Sequence, residues 1–210
     1  MVMVLGNSHQ YTPRCFISLF LVGSLCVSAA PLSIDHTASM QVHQLLMGRD
    51  VALDRGDPVQ TMAASMANFC YVVEYTPGKA FLVDPAWDVE GVLGFTKSKN
   101  LSVTCAVFTH RHLDHTGGRV NLARNKVVVP GLMECVQHGI TVKVGKDDVE
   151  ATVKQTGASS NSIVALNEGD EIVPGAKALH TPGHTPGSIC ILLNDGDALL
   201  TGVSVLLISK

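Results

Sequence analysis

Four residues able to bind a metal fall within six positions of one short run, His110-Arg111-His112-Leu113-Asp114-His115. The spacing H-x-H-x-D-H restricts the fold more tightly than any other stretch. It demands a loop that gathers three imidazoles and a carboxylate around one small volume. Neutral imidazoles bind Zn²⁺ at about 2.0–2.1 Å, and a carboxylate completes a mixed ligand set. Alternate residues of an extended loop point the same way, so His110 and His112 can grip one ion. Asp114 and His115 can then turn toward a second. Leu101 to Thr109, just upstream, is rich in β-branched and apolar residues and reads as a buried strand. Thr116-Gly117-Gly118 follows, and the segment from Arg119 to Lys126 is expected to begin a helix. The ligands therefore belong on a strand-to-helix loop, where functional groups are commonly carried on a rigid scaffold.

A second constellation is His180-Thr181-Pro182-Gly183-His184-Thr185-Pro186-Gly187-Ser188. Two Pro-Gly turns hold His184 on a stiff loop ahead of the strand Ile189 to Leu193. Together with His110 and His112, His184 would make a three-histidine site with a fourth position open to water. That is the arrangement of hydrolytic zinc, which lowers the pKa of its water toward about 7. His180 ends the preceding strand and is expected to brace or pack rather than to ligate.

These two motifs, with Asn68-Phe69-Cys70-Tyr71-Val72-Val73 and Phe81-Leu82-Val83-Asp84-Pro85-Ala86-Trp87, resemble the metallo-β-lactamase superfamily. Within it the text is most similar to the glyoxalase II-like (hydroxyacylglutathione hydrolase-like) metallo-hydrolases, over roughly Ala67 to Gly202. The resemblance implies an α/β fold, the αββα sandwich, with metals at one edge of the two sheets. It also implies a hydrolase in which a metal-bound hydroxide attacks a thioester, lactone or amide carbonyl. His110, His112, Asp114, His115 and His184 are the implied metal ligands. Asp114 doubles as the catalytic candidate, orienting the nucleophilic water or accepting its proton. Zn²⁺ is the implied cofactor, one ion here and two in full-length relatives.

The family pattern continues with a strand ending in T-G-D, whose Asp bridges two metals. Here the text is Thr201-Gly202-Val203, and Lys210 follows seven residues later. The family's last metal-binding His, most of the second sheet and its helices have no matching text. The chain is therefore expected to be C-terminally truncated, with the second half of the sandwich largely missing and an apolar sheet face left open. A metal-binding fragment without hydrolytic activity is the alternative that Val203 raises.

The net charge of −3 and the absence of a basic stripe give nucleic-acid binding no support; the expected partner is a small-molecule substrate. Arg14 precedes an apolar stretch from Cys15 to Ala30 that closes on Val27-Ser28-Ala29-Ala30, the pattern of a signal or targeting segment. Cleavage there would make the protein secreted or organellar, an uncleaved segment would anchor it to a membrane, and without a signal it would be cytoplasmic. The chain then divides into 1–30 (signal or targeting), 31–60 (linker and lead-in), 61–203 (incomplete metallo-β-lactamase-like domain) and 204–210 (unmatched tail). Nothing in the sequence sets an oligomeric state. Of the six cysteines, Cys70, Cys105, Cys135 and Cys190 lie beyond that signal without C-x-x-C spacing, three of them in apolar runs.

Elsewhere, Thr76-Pro77-Gly78-Lys79 reads as a hairpin loop, and Asp88 to Lys97 as a helix weakened by Gly91 and Gly94. Asp84 could orient a ligand histidine or simply form a turn. Val127–Val129 and Thr141–Val144 look like strands, and Gly145 to Asn161 like a polar surface excursion. Asn167 to Ile172 is a tight turn into a strand, and Asn194-Asp195-Gly196-Asp197 is a hairpin turn rather than a third metal site.

Overall fold

The computed structural model describes residues 2–4, 40–53, 57–122 and 125–203. In chain order it opens with β1 (Val2–Val4), β2 (Gln41–Leu46) and α1 (Pro58–Met66), the helix capped by Asp57, whose side chain accepts from the Val59 and Gln60 amides. The expected hairpin follows as β3 (Phe69–Thr76) and β4 (Lys79–Val83), turning through Gly78 at φ +76°. Helix α2 (Val89–Ser98) forms despite its glycines because Asp88 caps the Gly91 amide and Val89 and Val92 are fully buried. Strand β5 (Ser102–Phe108) is the buried strand that leads into the histidine motif.

After β5 the text misled in two places. The helical turn α3 (Leu113–Thr116) lies inside the motif itself, whereas the expected helix after Gly118 is a β-hairpin, β6 (Gly118–Leu122) with β7 (Asn125–Val129). Gly117 at φ +68° and Gly118 at φ +125° break the helical path, and the valine run of β7 pairs with the segment they release. Next come α4 (Leu132–Gln137) and β8 (Thr141–Gly145). The stretch expected to be a surface excursion is instead a tight turn, Lys146–Asp148, and helix α5 (Val149–Thr156). Its buried face is partly threonine, Thr152 and Thr156, so its text looks polar. Strands β9 (Ile163–Leu166), β10 (Glu171–Val173), β11 (Ala176–His180), β12 (Ile189–Leu193) and β13 (Ala198–Leu200) complete the described chain.

Two sheets stack face to face. The first has the order β2-β3-β4-β5-β8-β9, parallel from β4 through β9, and the second β1-β13-β12-β11-β10. Between them Tyr71, Val73, Phe81, Val83, Cys105 and Val107 meet Ile172, Ala178, Ile189, Ile191, Leu193 and Leu200. The outer face of the first sheet packs against helices through residues such as Val92, Leu132 and Cys135. Among the described residues the buried apolar side chains of the helices all join this outer cluster, so the second layer is represented by its sheet alone. Its strands nevertheless cover the first sheet's inner face, and the apolar surface expected to lie open is closed. Cys70, Cys105, Cys135 and Cys190 are free and buried, as small core hydrophobes. The segment from Cys15 to Ala30 lies outside the described residues; among those described, no helix is long and apolar enough to cross a membrane.

Gly145 marks where the first sheet approaches the loop carrying His184. A β-carbon there would sit 2.0 Å from the Gly187 carbonyl oxygen, whereas one added at exposed Gly94 meets nothing within 4 Å. Gly145→Ala is expected to lower the unfolding free energy by about 1–3 kcal/mol. Gly94→Ala should raise it by up to about 1 kcal/mol through helix propensity. Equilibrium urea denaturation of both variants checks the contrast.

Candidate metal centre

Each sheet contributes one loop to the site. From the first, β5 ends at Phe108, and the chain runs through buried Thr109 and His110 to His112, which precedes the helical turn of α3. From the second, the β11–β12 connection carries His184, closed at its base by Thr181 N–H donating to the Ser188 carbonyl at 2.8 Å. The Ile189 amide donates across the sandwich to the Thr109 carbonyl at 2.9 Å and joins the two loops.

The five sequence-predicted ligands come together as two overlapping groups. His110, His112 and His184 offer nitrogen atoms that all lie within 4.8 Å of one another, and so do the ligand atoms of His110, Asp114 and His115. His112 Nδ1 and His184 Nε2 are 2.8 Å apart, from positions 72 residues distant in sequence. Two nitrogens on one zinc at about 2.0–2.1 Å cannot be more than about 4 Å apart. The trio needs only small side-chain adjustments to meet that limit. His110 belongs to both groups and so stands at their junction, whereas the spacing alone pointed to the first ion. His180 is outside both; its Nε2 lies 2.7 Å from the Pro186 carbonyl, bracing the loop. Asp195 makes an ion pair with Lys177 at 2.8 Å, in keeping with a turn role.

Side chains behind the clustered histidines fix their orientation. Asp84 is buried at φ +50°, and its carboxylate accepts from the Thr109 amide and hydroxyl, both at 2.7 Å, and contacts His115 Nδ1 at 2.8 Å. Of the two roles open to Asp84, orienting a histidine is the one this geometry fits. The Thr109 hydroxyl also touches His110 Nδ1 at 3.1 Å. Asn68 Nδ2 donates to Asp114 Oδ2 at 3.0 Å and lies 3.2 Å from His115 Nε2. Asn68, Thr109 and the buried Asp148 were not legible as site residues; a polar side chain in a strand or turn carries no signal of what it faces. Gly202 lies against Thr109, so close that a β-carbon there would sit 2.8 Å from its hydroxyl. The next residue, Val203, brings no ligand atom to the site.

Charges divide between the two groups. Burial, then the neighbouring His115, pushes His110 down to about 4, and burial followed by His184 lowers His112. Both are thus neutral, metal-ready imidazoles at physiological pH. His115 behaves oppositely: burial opposes its charge, but Asp84 and Asp114 outweigh that and pull it up to about 10. Burial also works against ionisation of Asp114, yet His115 and the Asn68 amide hold its carboxyl well below the usual carboxylate range.

The sequence model of the Metallo-beta-lactamase superfamily matches residues 66–202. The chain is 26% identical over 151 residues to a probable polyketide biosynthesis zinc-dependent hydrolase, BaeB, of Bacillus velezensis, covering 68% of this chain and 60% of that protein. It is 31% identical over 150 residues to the hydroxyacylglutathione hydrolase of Citrobacter koseri, covering 69% of this chain and 52% of that one. The chain thus spans between half and two thirds of the length of these relatives. A metallo-beta-lactamase crystal structure from Staphylococcus aureus shares the fold, with a TM-score of 0.50 at 22% identity over 75% of this chain and 39% of that one.

In metal-free protein the protonated His115 stabilises the fold. Its pKa is about 10 when folded, against an ordinary value near 6.5, so the contribution is complete below about pH 6.5 and is lost as pH rises through about 10. Unfolding free energies from urea denaturation in chelator from about pH 6 to 10 should fall with a slope of at most about 1.4 kcal/mol per pH unit. Asp84→Asn, which removes one of the two carboxylates holding that charge, should flatten the fall.

Proposed function

We propose that this chain, which belongs to the metallo-beta-lactamase superfamily, is a metal-dependent hydrolase acting on a small molecule with a thioester, lactone or amide carbonyl. The observation that carries the proposal is the convergence of His110, His112 and His184, three imidazoles from two sheets with their nitrogens within 4.8 Å. These three would hold one zinc ion. When bound, such an ion polarises a carbonyl and makes water a nucleophile at neutral pH.

The chain's own groups supply the rest. Asp114 is kept ionised, and Asn68 occupies its Oδ2, so Oδ1 is the atom that would orient an attacking water and take its proton. His115, fixed by Asp84, holds the Asp114 carboxylate in place from the other side. His184 is exposed on its loop while His110 is buried, so substrate would approach from the His184 side. In a thioester, water adds its oxygen to the carbonyl carbon, the carbon–sulfur bond breaks, and the proton passes to the leaving thiolate. The name of the Citrobacter koseri relative favours an acyl-glutathione-like thioester over a lactone or amide.

Val203 favours a second reading, a metal-binding fragment without hydrolytic activity, because it stands where the resemblance places a bridging carboxylate. One preparation separates the two. Metal content and thioester hydrolysis are measured on the purified chain and on His112→Ala. About one zinc per chain, with metal and activity both lost in the variant, is the expected result. Zinc bound without turnover would establish the fragment reading, and no zinc in either protein would remove both.

A further inference from the structure

We infer that Asp148 is a positioning residue that sets the distance between the two histidine loops, and hence the metal affinity of the three-histidine group. The inference rests on the reading of His110, His112 and His184 as ligands. Asp148 sits in the tight turn before α5, far in sequence from either motif, and its side chain is completely buried. Its Oδ2 accepts from the Arg111 amide at 3.0 Å, the residue between His110 and His112. The same oxygen accepts from the Thr185 hydroxyl at 2.5 Å, and Oδ1 accepts from the Gly187 amide at 3.0 Å. Thr185 directly follows His184. A single carboxylate thus grips the backbone of the first loop and both a side chain and the backbone of the second.

Three further features show that the grip is built in. Arg111 Nε lies 3.8 Å from Asp148 Oδ1 and has no hydrogen-bond partner among the described residues, so its charge is directed at the same carboxylate. Gly187 approaches so closely that a β-carbon would lie 2.3 Å from the Asp148 amide nitrogen, leaving no slack between turn and loop. The Thr185 hydroxyl also contacts Ser188 Oγ at 2.8 Å, which ties the end of the histidine loop to the same point. A buried carboxylate costs several kcal/mol unless its oxygens are filled. Here the donors that fill them are two backbone amides and a hydroxyl that must stay still for His112 and His184 to remain within reach of one ion. The neutral isostere Asn keeps the volume of Asp148 but turns one acceptor into a donor facing donors, so the loops would separate.

The test uses the full chain and zinc, with chelator competition for the dissociation constant and the visible absorption of the Co²⁺-substituted protein for ligand geometry. Asp148→Asn should weaken zinc binding by about 10–100-fold, the range of losses for groups that orient ligands. Its cobalt spectrum should move away from the parent's. Phe81→Leu, a core change between the sheets, should lower the melting temperature and leave both readouts where they were. If Asp148→Asn does not fold, Thr185→Val decides, since it removes one of the three hydrogen bonds and keeps the shape; a several-fold loss of affinity supports the inference. Unchanged affinity and spectrum in the folded variant overturn it. A parent chain that binds no zinc overturns the ligand reading instead, and this inference falls with it.

Discussion

Taking a carboxylate out of water is tolerable only when donors replace the water, and this constraint shapes the site end of the molecule. Asp84 and Asp148 are both buried, and each has its oxygens filled by groups from segments that would otherwise have no reason to meet. Asp84 draws Thr109 and His115 together behind the first loop. Asp148 joins that loop to the one from the second sheet. The histidines are therefore held by hydrogen bonds formed before any ion arrives, and the electrostatics agree: His110 and His112 are kept neutral, while His115, held charged, is flanked by two carboxylates. Preorganisation of this kind spares a ligand set the cost of ordering itself around the metal.

What the sequence disclosed follows the same physics. Metal binding demands particular side chains at particular spacings, so H-x-H-x-D-H and the two Pro-Gly turns around His184 could be read as one cluster, and their side chains do converge. Buried strands announce themselves by β-branched runs, and β5, β8 and the β3–β4 hairpin stand where those runs lie. The errors fell where polarity misdescribed burial. Helix α5 hides Thr152 and Thr156, whose hydroxyls make it look like a surface segment. Asp148 sits in the run Lys146-Asp147-Asp148, indistinguishable by composition from a solvated turn. The hairpin β6–β7 stands where a helix start is expected, because Gly117 and Gly118 at positive φ end the helical path, which composition does not disclose.

The sandwich also explains why the histidine cluster draws on two sheets. Strands β5 and β12 end beside each other, and one backbone hydrogen bond, Ile189 to Thr109, sets them side by side. Residues contributed by adjoining strand ends converge without any long loop, so the histidine positions inherit the rigidity of β5 and β12, packed on each other's sheets through Val107, Ile189 and Ile191.

His112 and His184 touch across 72 positions of chain. An ion seated between them would act as a reversible cross-link that closes that loop, and the chain-entropy relation for a loop of this length gives about 4 kcal/mol. That is a sizeable fraction of the stability of an ordinary domain. The availability of metal in its surroundings would then govern how long the folded chain persists.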